Sequence, residues 1–124
     1  MLKMQPSTPP NTTLPILQKL IVAYKLWHSY WIHFDKVTKF GLGLHIESLF
    51  IETVKNIFVA SRKPKDGKQP YINKASDAFD LLKFLLQVMW DMKLLNDKKY
   101  IALSRCLVEV GRMLGGWQKQ TKTP

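Results

Sequence analysis

The sequence predicts an all-α protein, an antiparallel up-down-up-down four-helix bundle, and three observations carry that prediction. Four long segments repeat apolar residues at gaps of three and four, the spacing of one helix face. The breaks between them are short. No segment alternates apolar and polar residues as a half-buried strand would. Helices with an apolar stripe and short connections bury those stripes against one another as a bundle.

The elements follow in order. Residues 1–13 are rich in Pro, Ser, Thr and Asn and predict a disordered tail. The folded part spans 14–120, and 121–124 form a C-terminal tail. The first helix begins at Leu14, with Pro15 in a first turn that has no use for its missing N–H. Ile16, Leu20, Ala23, Trp27, Tyr30 and Phe34 form its main row, with Leu17, Ile21, Tyr24 and Trp31 beside it. DKVTK, 35–39, reads as a turn. A second helix is expected over 40–62, with Ile46, Leu49, Phe50, Ile57 and Phe58 as its apolar side. KPKDGKQP, 63–70, is the clearest break, since its prolines and Asp-Gly pair mark a loop. Arg62 and Lys74 flank its three lysines, and this charge suits a solvated loop or a binding role equally.

The third helix, 70–95, carries two rows. Ile72, Ala75, Phe79, Leu82, Leu86 and Met89 form one; Leu81, Leu85, Val88, Met92 and Leu95 form the other. Asn96 or Asp97 can cap the fourth helix by accepting from its free amides. There Tyr100, Leu103, Leu107, Val110, Leu114 and Trp117 step as a bundle seam.

Composition bounds the function. Nineteen Lys and Arg against nine Asp and Glu give a net charge of +10, which fits a polyanionic partner or a solubilising surface. Cys106 is the one cysteine, so no intrachain disulfide forms. His28, His33 and His45 are too few and too poorly spaced for a metal centre, and no cofactor is expected. No signal-peptide core or membrane-length apolar run is visible, which predicts a cytoplasmic protein without a membrane partner. GLGLH lacks the preceding strand of a phosphate loop, and there is no Glu-x-x-His motif. The pairs Glu47/Glu52 and Asp77/Asp80 read as solvated helix faces, and the chain is not expected to be an enzyme. Four long helices leave no short recognition helix for a helix-turn-helix regulator.

The apolar surface exceeds what one bundle needs. Phe84 and Trp90 add to the third helix, and Ile101, Cys106, Val108 and Met113 lie off the seam of the fourth. Such a surplus predicts a subunit interface. GRMLGGW, 111–117, is part of the same problem, because glycine inside a helix costs about 1 kcal/mol against alanine. Ser104, Val108, Gly111 and Gly115 stack on one side, where another helix could approach closely. Alternatively, Gly115 and Gly116 end the helix in a left-handed cap. A seam that continues to Trp117 favours close packing.

EVGRMLGGW, 109–117, resembles the C-terminal signature of the Avd family, the accessory variability determinants of diversity-generating retroelements. These belong with a wider group of four-helix proteins that includes those encoded in intervening sequences of 23S rRNA genes. LPILQKL (14–20), Gly43-Leu44 and LLKFLLQ (81–87) look similar too, so the resemblance covers residues 14–120. It implies a homopentameric barrel with a basic surface. It also implies a non-enzymatic accessory role: binding the retroelement's reverse transcriptase and its structured template RNA to support mutagenic cDNA synthesis.

Glu109, Gly111, Arg112, Leu114, Gly115 and Trp117 match the signature. Glu109, Gly111, Leu114, Gly115 and Trp117 are read as a helix-packing motif. Arg112 either pairs with Glu109, three residues earlier, or contacts RNA or polymerase. Lys83 matches a basic position expected to face a partner, and Gln87 stands one turn on where a second basic residue fits the family pattern. Lys55, Arg62, Arg105 and Lys119 are further candidates for binding nucleic acid or polymerase on charge alone. The alternative is a stand-alone interaction bundle of the intervening-sequence type, with no polymerase partner.

Overall fold

The computed structural model describes residues 13–122. They form α1 (Thr13–Trp31), a short α2 (Lys36–Phe40), α3 (Leu42–Ser61), a 3-10 turn (Lys65–Gly67), α4 (Gln69–Asp91) and α5 (Asp97–Lys122). No strand occurs among the described residues. The four long helices close a ring: α1 packs on α3 and α5, and α4 packs on the same two.

The three-four spacing places the core. Every member of the first α4 row, Ile72 to Met89, is buried. So are Leu103, Leu107, Val110, Leu114 and Trp117 on α5, and Ile16, Leu20, Ala23 and Trp27 on α1. Each large apolar side chain removed from water contributes about 1.5–3 kcal/mol. The second α4 row is different. Leu81 is 47% exposed, Leu85 and Val88 are half-buried, and only Leu95, beyond the helix, is fully buried.

The inner row of α3 is the expected one at Ile46, Phe50 and Ile57 and differs elsewhere. Phe58 is 51% exposed, while Ile46, Phe50, Thr53, Asn56, Ile57 and Ala60 face inward. Thr53 and Asn56 are tolerated because both bond locally. Thr53 Oγ1 donates to the Leu49 carbonyl at 2.7 Å, and Asn56 Nδ2 donates to the Glu52 carbonyl at 2.9 Å. A buried polar group so satisfied loses most of its desolvation penalty.

Three boundaries are corrected. Residues 36–40 are the helix α2, not a turn, because Asp35 accepts a hydrogen bond from the Thr38 amide and caps it. Trp31 Nε1 donates to the Lys39 carbonyl at 2.9 Å, and its ring lies over Gly43. A Cβ on Gly43 would come within 2.7 Å of the Thr38 carbonyl oxygen, so this approach requires glycine. α4 ends at Asp91, not Leu95. Lys93 takes a left-handed φ of 61°. The Lys93 amide donates to the Trp90 carbonyl and the Leu94 amide to the Met89 carbonyl, a Schellman stop. Finally, α1 begins one residue before 14 and α5 runs past 120 to Lys122. The rest of the two tails, 1–12 and 123–124, lies outside the described residues.

At one end of the ring, Gln118 Nε2 donates to Asn73 Oδ1 at 3.1 Å and Thr121 Oγ1 to Gln69 Oε1 at 3.1 Å. At the other, Trp90 stacks on Tyr100 at 4.8 Å, and its Nε1 donates to Asp97 Oδ1 at 2.7 Å. No helix among the described residues is long and apolar enough to cross a membrane.

Candidate nucleic-acid interface

The helix α5 runs unbroken through all three glycines of GRMLGGW, so the cap reading of Gly115 and Gly116 is wrong. Trp117 holds the helix in place beyond them, buried on the core side. At Gly111 a Cβ would lie 3.2 Å from Phe79 Cε2, so the bare backbone lets α5 close on α4. Gly115 and Gly116 meet nothing within 4 Å. The smooth stripe therefore packs within the chain at Gly111 and opens outward at Gly115.

Gly115 lines a groove of about 810 Å³ between α4 and α5. Lys83 and Gln87 enter it from α4; Val108, Gly111 and Arg112 enter from α5. The core residue Leu114 forms part of its floor. Phe84 on its wall is 58% exposed and Val108 is 70% exposed. The groove thus joins two candidate cations to unpaired apolar surface.

Both cations have local partners. Lys83 Nζ sits 4.9 Å from the Phe79 ring and 3.8 Å from Asp80 Oδ1. Arg112 Nη2 pairs with Glu109 Oε2, as the structural reading required. The Arg112 side chain is still 72% exposed. Exposed pairs of this kind contribute about 0–1 kcal/mol, so the ion pair does not withdraw Arg112 from a partner.

The other charge candidates lie elsewhere. Arg105 lines a separate hollow between α1 and α5 with Lys19, Val22 and Glu109. Lys55 is exposed on α3. Arg62 follows α3, its guanidinium 5.7 Å from the Phe58 ring, and Lys119 is exposed near the end of α5.

Glu47 is not a solvated carboxylate. Tyr24 Oη donates to its Oε2, and Trp27 Nε1 donates to its Oε1 at 2.9 Å. Burial, then the hydrogen bond and charge of Glu47, push the Tyr24 hydroxyl up to about 12. Nothing in the spacing of Glu47 with Glu52 signalled this, because both donors come from α1. Among the described residues no group of three or more His, Cys, Asp and Glu side chains could hold a metal.

Sequence reasoning also missed how the loop after α3 meets the end of α5. The flanked lysines of 62–74 were visible as a run. Their juxtaposition with Trp117 and the last turn of α5 needs the packing: Lys68 Nζ donates to the Ala60 carbonyl at 2.9 Å and lies 5.9 Å from the Trp117 ring.

These features define a class: a basic all-α four-helix protein with a partly apolar surface groove. No protein-family model, curated protein or solved structure matches the chain.

Proposed function

We propose that this chain is a non-enzymatic accessory protein of a diversity-generating retroelement, acting in the cytoplasm. It binds a reverse transcriptase and a structured template RNA and holds the two together for mutagenic cDNA synthesis. The bundle is antiparallel, up-down-up-down, and assembles as a homopentamer. The side-chain bonds joining the start of α4 to the end of α5 support the antiparallel arrangement. One observation carries the functional reading. The GRMLGGW segment serves two sides of α5, closing the core through Leu114 and Trp117 while Arg112 and Gly115 open on the α4–α5 groove.

The division of labour follows from chemistry. Exposed apolar residues such as Phe84 and Val108 supply protein–protein contact. The +10 charge supplies phosphate contact, which gives affinity and strong salt dependence without sequence choice. The test is affinity capture of the tagged protein from its native host at low and high salt, with mass spectrometry of proteins and sequencing of bound RNA. Recovery of a reverse transcriptase with one dominant structured RNA is the expected result. Recovery of neither, from folded oligomeric protein, would leave the stand-alone bundle instead.

A further inference from the structure

The charge is not spread evenly over the bundle. Residues 62–74 and 115–122 carry Arg62, Lys63, Lys65, Lys68, Lys74, Lys119 and Lys122, with Asp66 as their one carboxylate. Packing brings the two segments together, through Lys68 against Trp117, Gln69 against Thr121 and Asn73 against Gln118. Helix ends explain part of this. Lys119 and Lys122 occupy the last turn of α5, where cations complement the macrodipole. Lys68 also serves a helix end, since its Nζ donates to the Ala60 carbonyl in the last turn of α3. Helix ends do not explain Lys74, which lies in the second turn of α4, toward the pole where the dipole disfavours a cation. The start of α4 has no side-chain cap and no acidic residue in its first turn. Lys63 and Lys74 converge on one ring, each ammonium 5.3 Å from the centroid of Tyr71. Both ammoniums hold a ring and neither has an ion pair among the described residues, so their charge stays open to a polyanion. In the last turn of α3, Phe58 is 51% exposed, with Arg62 5.7 Å from its ring.

We infer that this end of the bundle, and not the α4–α5 groove, is the principal nucleic-acid contact, and that it takes single-stranded RNA. The inference rests on the RNA-binding part of the function proposed above. Lys63, Lys65 and Lys74 bind successive phosphates, and a base stacks on Phe58 beside the Arg62 guanidinium. Interleaved cations and an exposed aromatic are what a single strand needs, since its bases are free to stack. A lipid surface would use the charge and leave the ring without a base-like partner.

The experiment is fluorescence anisotropy of a labelled uridine-rich RNA across a salt series, with the full chain. One variant carries Arg62→Gln, Lys63→Gln, Lys65→Gln and Lys74→Gln. A control carries Lys36→Gln, Lys93→Gln, Lys98→Gln and Lys99→Gln at the far end, an equal change in charge. Circular dichroism checks that both stay helical. The loop variant should bind at least about tenfold more weakly, and its log–log salt slope should fall by about 2, at roughly 0.7 for each of the three lost phosphate contacts on a single strand. The control should stay within about threefold of wild type, as expected if far-end charges act only through a screened field. Phe58→Ala should cost about tenfold for the single strand and leave duplex RNA unaffected, because stacking needs an unpaired base. If wild type binds and both quadruple variants weaken alike, the location is wrong and the RNA reading stands. If wild type binds no RNA, the RNA reading and this inference fall together. Weakened binding to phosphatidylserine vesicles with unchanged RNA affinity would also overturn it.

Discussion

The two ends of the bundle solve the same problem differently. Both must finish helices whose terminal amides and carbonyls lack partners. The end built from 31–42 and 91–100 uses polar side chains. Asp35 caps α2, Asn96 Oδ1 accepts from the Lys99 amide at 2.9 Å, and Asp97 accepts from Trp90. Its segments carry five lysines and three carboxylates, Asp35, Asp91 and Asp97. The end built from 62–74 and 115–122 has one carboxylate, Asp66, and leaves α4 uncapped by any side chain. Arg62, Lys63, Lys68 and Lys74 lie over rings there, as Lys39 and Lys99 do at the first end. At the first end the carboxylates both serve the fold and offset the net charge. Where it accumulates without acids, the fold gains little and a polyanion gains much.

The core one turn inside the first end gives the largest expected effect. Trp27 is fully buried, stacks on Phe50 at 6.2 Å and donates to Glu47. Trp27→Ala should lower unfolding stability by about 3–5 kcal/mol, the range for a buried aromatic. Chemical denaturation measures it. A loss under about 1 kcal/mol, far below the usual cost of such a cavity, would mean Trp27 is not packed in the core as described. Tyr24→Phe comes next. It removes a second donor to the Glu47 carboxylate and should cost about 1.5–3 kcal/mol, as for hydrogen bonds to charged groups. Its pH dependence has a definite sign. The folded state holds the Tyr24 proton more tightly than the usual 10.0, up to about 12. That stabilisation is complete below pH 10 and is lost as pH rises through 12. Wild type should weaken across that window more than Tyr24→Phe does; parallel curves would show that Tyr24 is not coupled to folding.

Most of this architecture was legible in the sequence, for reasons that individual residues make clear. The rows on α4 and α5 were read correctly because every core position there is apolar, or glycine against a ring. The row on α3 was read only in part, because Thr53 and Asn56 occupy core positions, and their local bonds to carbonyls four residues back have no signature in the pattern. The end of α4 was misplaced because a lysine, Lys93, fills a left-handed position where glycine usually announces the stop. At the candidate site, Lys83, Arg112 and Gly115 were named from sequence and share one groove. The basic end was named only in pieces, Arg62, Lys119 and the lysine-rich loop, because it is assembled from segments some fifty residues apart, Gln69 with Thr121 for example, and only packing joins them.

Two backbone positions sharpen the contrast with smaller effects. Lys93→Gly, at the capped end, relieves a left-handed side-chain clash of about 1–2 kcal/mol. The greater freedom of glycine in the unfolded chain offsets roughly 0.5–1 kcal/mol of that, so thermal unfolding should show a net gain of about 0.5–1 kcal/mol. The smallest and most discriminating test lies in the basic half of α5. Alanine is favoured over glycine in a helix by about 1 kcal/mol. Gly115→Ala meets nothing within 4 Å in the single chain and should realise that gain in full. Gly111→Ala places its methyl 3.2 Å from Phe79 and must displace the ring, so it should gain less or lose. Measured at low protein concentration, this order isolates the chain by itself. At high concentration a second copy seated on the outward stripe would reverse it, since Gly115 would then be the glycine under contact. A Gly115→Ala gain that is independent of concentration would remove this stripe from any subunit interface, and the surplus apolar surface of Phe84 and Val108 would then belong to a different partner.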